Sequence, residues 1–257
     1  MRALIVPAAG QGSRFAHAGY TDPKPLIPLS TGQIMLAAAI KPFLNHVDEV
    51  SSILSNGLTE DQMGTVTDNM RKIMDEAPDA RCQRIGGQLI YPQLGGAALS
   101  VLCMQGRIHD ACEVIVINSD QIFDQAAIDD WLANIDANRP SGSILTFPVT
   151  DPSDTKWSFV EKAGDYVLRV AEKNKISDEA TCGAYYFASW GLLRAAICHM
   201  ISANDRTNNE FYLAPAYNYL GHADVRTFQV DPSQFTGLGT PELLREWEAA
   251  NAVVPKG

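Results

Sequence analysis

Residues 3–7, Ala-Leu-Ile-Val-Pro, form a short apolar run that breaks at once into Ala8-Ala9-Gly10-Gln11-Gly12-Ser13-Arg14. A run of that length ending at a glycine-rich break reads as a buried strand. The loop behind it suits close approach. Glycine tolerates positive φ and leaves main-chain N–H groups open, and a concave row of such groups binds anions. Ala8, Ala9, Gly10, Gly12 and Ser13 are therefore candidate phosphate-binding positions, and Arg14 adds a planar cation suited to phosphate oxygens. Further on, Pro23-Lys24-Pro25 stiffens the chain around a lysine, because Pro23 fixes its own φ and Pro25 drives Lys24 toward an extended conformation. The loop matches neither common nucleotide fingerprint. Position 15 is Phe15 where the dinucleotide motif has its third glycine, and no Gly-Lys-Ser/Thr follows as in a Walker A loop. Taken alone, the segment can also be read as a strand, a glycine turn and a proline-rich loop with two surface cations.

Charge narrows the partners. The formal net charge is −10 and the pI is near 4.9, which argues against non-specific nucleic-acid binding. An acidic protein that handles anionic nucleotides must gather its cations locally or recruit a metal. The length of 257 residues and a hydrophobic content of 46% allow one large α/β domain with a sizeable core. Its five cysteines include no Cys-x-x-Cys pair, which fits reduced thiols in the cytoplasm and speaks against structural zinc. Too few apolar residues precede Gly10 for a signal peptide. No apolar run approaches the roughly 18 residues of a membrane span. The expectation is a cytoplasmic protein with no membrane or nucleic-acid partner; a homo-oligomer is possible.

Along the chain, helical periodicity over 33–45 and 59–76 alternates with strand-like segments at 48–55 and 84–91. This alternation predicts a sheet covered by helices on both faces. Val114 to Ile117 is a continuous β-branched run, the signature of a central buried strand. Asp120 sits just past its C-terminal end, the edge at which ligands bind in parallel α/β sheets. A carboxylate there can hold Mg²⁺, which takes few protein ligands and bridges phosphate oxygens; it can equally cap the following helix. A helix is predicted over 124–137 and a strand over 143–149. From Asp151 the composition shifts to strand-like segments at 155–161, 166–171 and 181–188, with Gly164-Asp165 as a hairpin turn. These suggest a small antiparallel insertion beside the main sheet. A helix over 190–201 and a strand over 224–230 follow, and Gly239-Thr240-Pro241-Glu242 starts the last helix.

The motifs together resemble the nucleotide-sugar nucleotidyltransferases, the sugar-1-phosphate pyrophosphorylases. The family signature of Leu-Ala-Ala-Gly-x-Gly-x-Arg, a gap, then Pro-Lys-Pro-Leu-x-Pro appears here as Pro7-Ala8-Ala9-Gly10-Gln11-Gly12-Ser13-Arg14 and Pro23-Lys24-Pro25-Leu26-Ile27-Pro28. The resemblance implies an α/β fold: a three-layer, Rossmann-like, mixed but mainly parallel sheet of the glycosyltransferase-A and nucleotidyltransferase type. Residues 1–150 would form the nucleotide-binding part of a single domain, and 151–257 the acceptor-binding part with the C-terminal helix. The loop would wrap the nucleotide phosphates, with Arg14 and Lys24 on the triphosphate and Mg²⁺ on Asp120. Gln93, Gly96 and Ala98 would read the base. Glu172, Lys173, Gly183 and Tyr185 would face the acceptor, with Lys173 on its phosphate.

Several positions depart from the pattern. Ser119 precedes Asp120 where the family has glycine, Ser158 replaces a glycine, and Asn174 follows Glu172-Lys173 in place of proline. Gly237 stands where many members carry a second metal-binding Asp; Asp231 is the nearby candidate to replace it. The implied reaction joins an NTP to a phosphorylated acceptor, a sugar 1-phosphate or similar ester, with release of pyrophosphate. The alternatives are a glycosyltransferase of related fold, disfavoured because no Asp-x-Asp follows at Asp120, and a non-catalytic nucleotide-sensing module.

Overall fold

Side chains alternate across a strand, and the first strand shows why the sheet is covered on both sides. Leu4 and Val6 join one apolar cluster with Leu36, Val66 and Trp131. Ala3 and Ile5, between and beside them, join a second with Val101, Leu193 and Met200. The computed structural model describes residues 1–90, 95–221 and 223–251. In chain order its strands are β1 Arg2–Ala8, β2 Glu49–Ser55, β3 Arg84–Ile90, β4 Glu113–Ile117, β5 Gln121–Phe123 and β6 Gly142–Pro148. The rest are β7 Ser158–Ala163, β8 Tyr166–Glu172, β9 Glu179–Phe187, β10 Val225–Gln229 and β11 Phe235–Gly237. The helices are α1 Ser13–His17, α2 Met35–Ile40, α3 Glu60–Asp75, α4 Ala97–Leu102, α5 Gln125–Asn138, α6 Trp190–Ser202 and α7 Pro241–Asn251. Helices α2, α3 and α5 contribute to the first cluster, α4 and α6 to the second.

The main sheet has nine strands in the order β3-β2-β1-β4-β9-β6-β10-β8-β7. Strands β3, β2, β1 and β4 pair in parallel, as do β6 and β10. Strand β9 runs antiparallel between β4 and β6, and every one of its residues is buried. This corrects one part of the sequence-based expectation. Seven of the nine strands point the same way and only β8 and β9 are reversed, so the sheet is mixed but mainly parallel as expected. The strand over 181–188, however, is a central member of the sheet rather than part of a side insertion. A buried strand reads as apolar whichever way it runs, so periodicity carries no direction. Only the β7–β8 hairpin lies at the margin, and it curls back far enough for Phe159 of β7 to pair with Ala180 of β9.

Local chemistry explains most element boundaries. Helix α3 opens on a capping box: the Gln62 N–H donates to Thr59 Oγ1 at 3.2 Å, and the Thr59 N–H donates to Gln62 Oε1 at 3.0 Å. Ser189 caps α6 by accepting from the Leu192 N–H at 3.2 Å. The helix expected over 33–45 is shorter, because Pro42 converts its end to a 3-10 turn over Lys41–Phe43. Two short strands were not legible in the sequence: β5 and β11 form an antiparallel ribbon that sets Gly237 opposite Gln121. Among the described residues no helix is long and apolar enough to cross a membrane. All five cysteines are free.

Gly142 at the start of β6 shows how tightly the second cluster is packed. A Cβ there would lie 2.7 Å from Tyr217 Cε1. The Tyr217 ring stacks on Phe187 at 4.5 Å, and its hydroxyl donates to the carbonyls of Ser143 and Tyr186 at 3.0 and 2.9 Å, so it cannot yield. Gly142→Ala should therefore destabilise by about 1–3 kcal/mol. Gly64, inside α3 with nothing near its Cβ position, should behave oppositely: Gly64→Ala should stabilise by about 0.5–1 kcal/mol. Urea midpoints for the two variants test both signs.

Candidate active site

Strands β1 and β4 lie side by side and parallel, so the loops at their C-terminal ends meet. After β1, Gly10 has open space where a side chain would be, and Gly12 adopts the left-handed conformation (φ 59°) that starts α1. A Cβ on Gly12 would come within 3.2 Å of Lys24 Cβ, so the glycine lets the Lys24 segment pack against the loop. The Pro-Lys-Pro segment differs from expectation in one respect. Pro23 is the extended residue (φ −55°, ψ 141°), and Lys24 opens a 3-10 turn over Lys24–Leu26, closed by the Leu26 N–H donating to Pro23 O at 2.8 Å. The turn carries the Lys24 ammonium to Asp120, where Nζ lies 2.8 Å from Oδ2.

Asp120 is held from both sides. Its carbonyl accepts the Leu238 N–H at 2.7 Å, and two residues earlier the Asn118 N–H donates to Gly183 O at 2.9 Å. Gly183 has φ 79°, and any side chain there would collide with the Asn118 amide. It shapes the strand and does not itself line the cavity. Asp120 does not cap the following helix: α5 starts at Gln125 behind Asp124 at the N-cap position, and no side chain caps it.

The Gly95-Gly96-Ala97-Ala98 segment leads into α4 with both glycines at positive φ, 67° and 120°. It pairs edge to edge with Phe211. The Phe211 N–H donates to Gly95 O at 2.8 Å, and the Ala98 N–H donates to Phe211 O at 3.1 Å. A Cβ on Gly96 would collide with the Phe211 backbone. Ala98 is fully buried and makes packing rather than cavity surface. Gln93 lies outside the described residues.

Two adjoining cavities open at this edge. One, of about 610 Å³, is lined by Ala8 to Ser13 and by Gly95, Gly96, Ala97 and Ser100. The other, of about 420 Å³, is lined by Arg14, Asp120, Trp157, Glu172, Lys173 and Tyr185 among others. Pro7, Lys24, Ala97, Ser119 and Tyr212 line both. The Lys24–Asp120 pair thus stands at their junction. In the second cavity Ser158 Oγ donates to Glu172, and burial raises the Glu172 carboxyl above its ordinary value against the lowering effects of Ser158 and Lys173. Lys173 takes a left-handed conformation (φ 53°), fixed by its N–H donating to Trp157 O at 2.9 Å. Its ammonium donates to the Tyr212 hydroxyl and sits 4.5 Å from the centre of that ring. The Tyr185 hydroxyl bonds with Thr181 Oγ1 at 3.0 Å, and burial holds its phenol far above the ordinary value.

The structure therefore brings together Arg14, Lys24, Asp120, Glu172, Lys173 and Tyr185 with the glycine loop, and adds residues that were given no role from sequence. Lys156 contributes a further cation beside Trp157. Tyr212 joins the two cavities; the signal that could have found it was Gly95-Gly96, whose small size asks for a backbone partner alongside. Gln121 lines the second cavity with its amide oxygen buried. Asp231, the candidate second metal ligand, instead accepts from the Ser233 N–H and hydroxyl at 2.9 and 2.6 Å and lines neither cavity. Among the described residues no three His, Cys, Asp or Glu side chains converge as a metal cluster.

Comparison with solved structures gives the same fold over nearly the whole chain. A nucleoside-diphosphate-sugar pyrophosphorylase from Vibrio cholerae RC9 is 21% identical, with a TM-score of 0.76, over 96% of this chain and 99% of that one. A putative glucose-1-phosphate thymidylyltransferase from Bacillus anthracis is 17% identical, with a TM-score of 0.75, over 100% and 98%. An inositol-1-phosphate CTP transferase from T. maritima is 14% identical, with a TM-score of 0.69, over 99% and 98%. No curated protein matches the chain. The family model described as nucleotidyl transferase matches residues 3–225, which is most of the chain and includes the glycine loop, Lys24, Asp120 and Lys173, so the chain belongs to the nucleotidyl transferase family.

Proposed function

We propose that the protein transfers a nucleotidyl group from an NTP to the phosphate of a small acceptor, a sugar 1-phosphate or similar ester, releasing pyrophosphate. The observation that carries this reading is the Lys24–Asp120 pair at the junction of the two cavities. The glycine-lined cavity suits a base, ribose and phosphates beside open backbone N–H groups; residues 1–150 supply most of it. The second cavity, to which 151–257 contribute Lys156, Glu172 and Lys173, suits the acceptor.

An acceptor phosphate oxygen attacks the α-phosphorus in line, and the bond from that phosphorus to the pyrophosphate oxygen breaks. No covalent enzyme intermediate is needed, so catalysis is positioning and charge neutralisation. Lys24 at the junction offsets charge gathering on the α-phosphate. Arg14, which makes no ion pair among the described residues, faces the same space and holds the leaving pyrophosphate. Lys173, fixed by its backbone and by Tyr212, orients the acceptor phosphate.

The residues also fit Mg²⁺. The side-chain position of Gly239 lies 3.1 Å from Asp120 Oδ2, so glycine keeps the space beside that oxygen clear. Mg²⁺ is commonly held by one or two carboxylates, water and substrate phosphates. Bound there through Asp120, it would neutralise phosphate charge.

Pyrophosphate release with Mg²⁺, crossing the common NTPs with a panel of sugar 1-phosphates and small phosphate esters, tests the reading. One productive pair is expected, and silence across the panel with NTP binding intact would reject it. Lys24→Ala and Asp120→Ala should each lower turnover about 100-fold or more while shifting the melting temperature by only a few degrees. Near-normal turnover in both would sink the assignment.

Glu172 generates a pH prediction. Its carboxyl is raised from 4.5 chiefly by burial, so the folded state resists the charged form. Below the unfolded value both states are protonated and nothing is lost. As pH rises past it, the unfolded chain ionises first and gains, until the folded group ionises too. Glu172→Gln should therefore stabilise the protein at neutral pH, with the gain fading below about pH 4, while acceptor KM rises. Thermal melts across pH 3.5–8 beside acceptor titrations check both.

A further inference from the structure

The second cavity has charged groups that are already partnered and one buried polar group that is not. Asp120 is paired with Lys24 at 2.8 Å, and Glu172 accepts from Ser158. The ring of Trp157 is faced by the Lys156 ammonium at 5.0 Å, and that of Tyr212 by Lys173 at 4.5 Å. Gln121 is different. It is 7% exposed, it lines the cavity, and its Oε1 has no hydrogen-bond partner among the described residues. Leaving such an atom unsatisfied costs about 1–3 kcal/mol. Arg2 Nη1, Ser52 Oγ and Gln88 Oε1 are also buried without partners, but of the four only Gln121 lines a cavity of the site, where a ligand can complete it.

Gly237 sits opposite this amide in the β5–β11 ribbon and places no side chain against it. A Cβ at Gly237 would lie 3.5 Å from Gln121 Oε1 and 3.8 Å from the Trp157 ring. One glycine thus leaves a niche walled by a neutral amide and an indole edge, next to Asp120.

We propose that Gln121 is the specificity-determining residue for the acceptor: its amide hydrogen-bonds an uncharged hydroxyl of a phosphorylated polyol or sugar in the niche left by Gly237. The proposal rests on the nucleotidyl-transfer reading above and adds to it which chemistry the acceptor presents and which residue reads it.

The test measures pyrophosphate release for two sets of acceptors with each common NTP. α-Glucose 1-phosphate and glycerol 3-phosphate carry hydroxyls; ethyl phosphate and phosphocholine do not. The wild type should prefer the better hydroxyl-bearing acceptor by about tenfold or more in kcat/KM. In Gln121→Leu that preference should collapse, with acceptor KM raised about tenfold or more and NTP KM unchanged. Gly237→Ala, at a position whose backbone is not left-handed, fills the niche and should raise acceptor KM in the same selective way, even if Gln121→Leu folds poorly. Three results would overturn the proposal alone: equal use of ethyl phosphate or phosphocholine, an unchanged acceptor KM in both variants, or an effect confined to a higher Mg²⁺ requirement. No pyrophosphate from any pair would remove the nucleotidyl-transfer reading itself, and this proposal with it.

Discussion

Strand β9 is the constraint through which the two halves of the site are joined. It lies antiparallel between β4 and β6, is buried along its whole length, and so has no freedom to shift register without exposing apolar side chains. Near the middle of the strand, Gly183 takes a positive φ and its carbonyl receives the Asn118 N–H. Together with the Leu238 N–H, which donates to Asp120 O, that hydrogen bond fixes the loop that carries Asp120. The same strand supplies Thr181 and Tyr185 to the wall of the second cavity. A displacement of β9 would therefore move the Asp120 loop and the Thr181–Tyr185 wall together, which is what a two-substrate reaction with an in-line geometry needs.

Charge is arranged on the same principle. A chain of net charge −10 concentrates Arg14, Lys24, Lys156 and Lys173 around one opening. Each is placed by a different device: the start of a short helix, a proline-framed 3-10 turn, a loop that lays the lysine on Trp157, and a left-handed residue after β8. Where anionic phosphates arrive, the local field is favourable even though the molecule as a whole repels them, and the low exposure of the Lys24–Asp120 pair limits solvent screening.

Much of this was legible in the sequence, for identifiable reasons. Strands β1 and β4 announce themselves as apolar runs, and the residues just past their ends, the glycine loop and Asp120, meet because parallel neighbours place equivalent ends together. The Thr59–Gln62 capping box and the helix over 190–201 are local signals that tertiary packing did not override. What stayed hidden is non-local. The direction of β9 leaves no trace in its composition. The three-residue ribbon of β5 and β11 is too short for periodicity to register, and with it the pairing of Gly237 with Gln121 was invisible. Gly237 read from sequence as a missing carboxylate; in the fold it is also the space that Gln121 faces. Pro25 suggested an extended Lys24, but the Leu26 N–H bond to Pro23 O closed a turn instead.

The two edges of the sheet treat charge in opposite ways, and that asymmetry says where a ligand belongs. At the edge where β1 begins, Arg2 is nearly fully buried. It binds Glu113 at 2.7 Å and Asp136 at 2.5 Å, and its N–H donates to Asp48 at 2.6 Å. These contacts tie β1 to β4, to α5 and to the segment before β2. Buried ions of this kind are tolerable only when the chain itself supplies their partners. At the opposite edge the chain withholds partners: Arg14 is left without an ion pair among the described residues, backbone N–H groups surround open glycines, and the Gln121 amide is buried with its oxygen unbonded. Arg2 Nη1 is also buried without a partner among the described residues, but it lines neither cavity. What sets the other edge apart is that its unpartnered groups line open cavities, so the partners they await can come from a ligand, anionic at the loop and neutral beside Gln121.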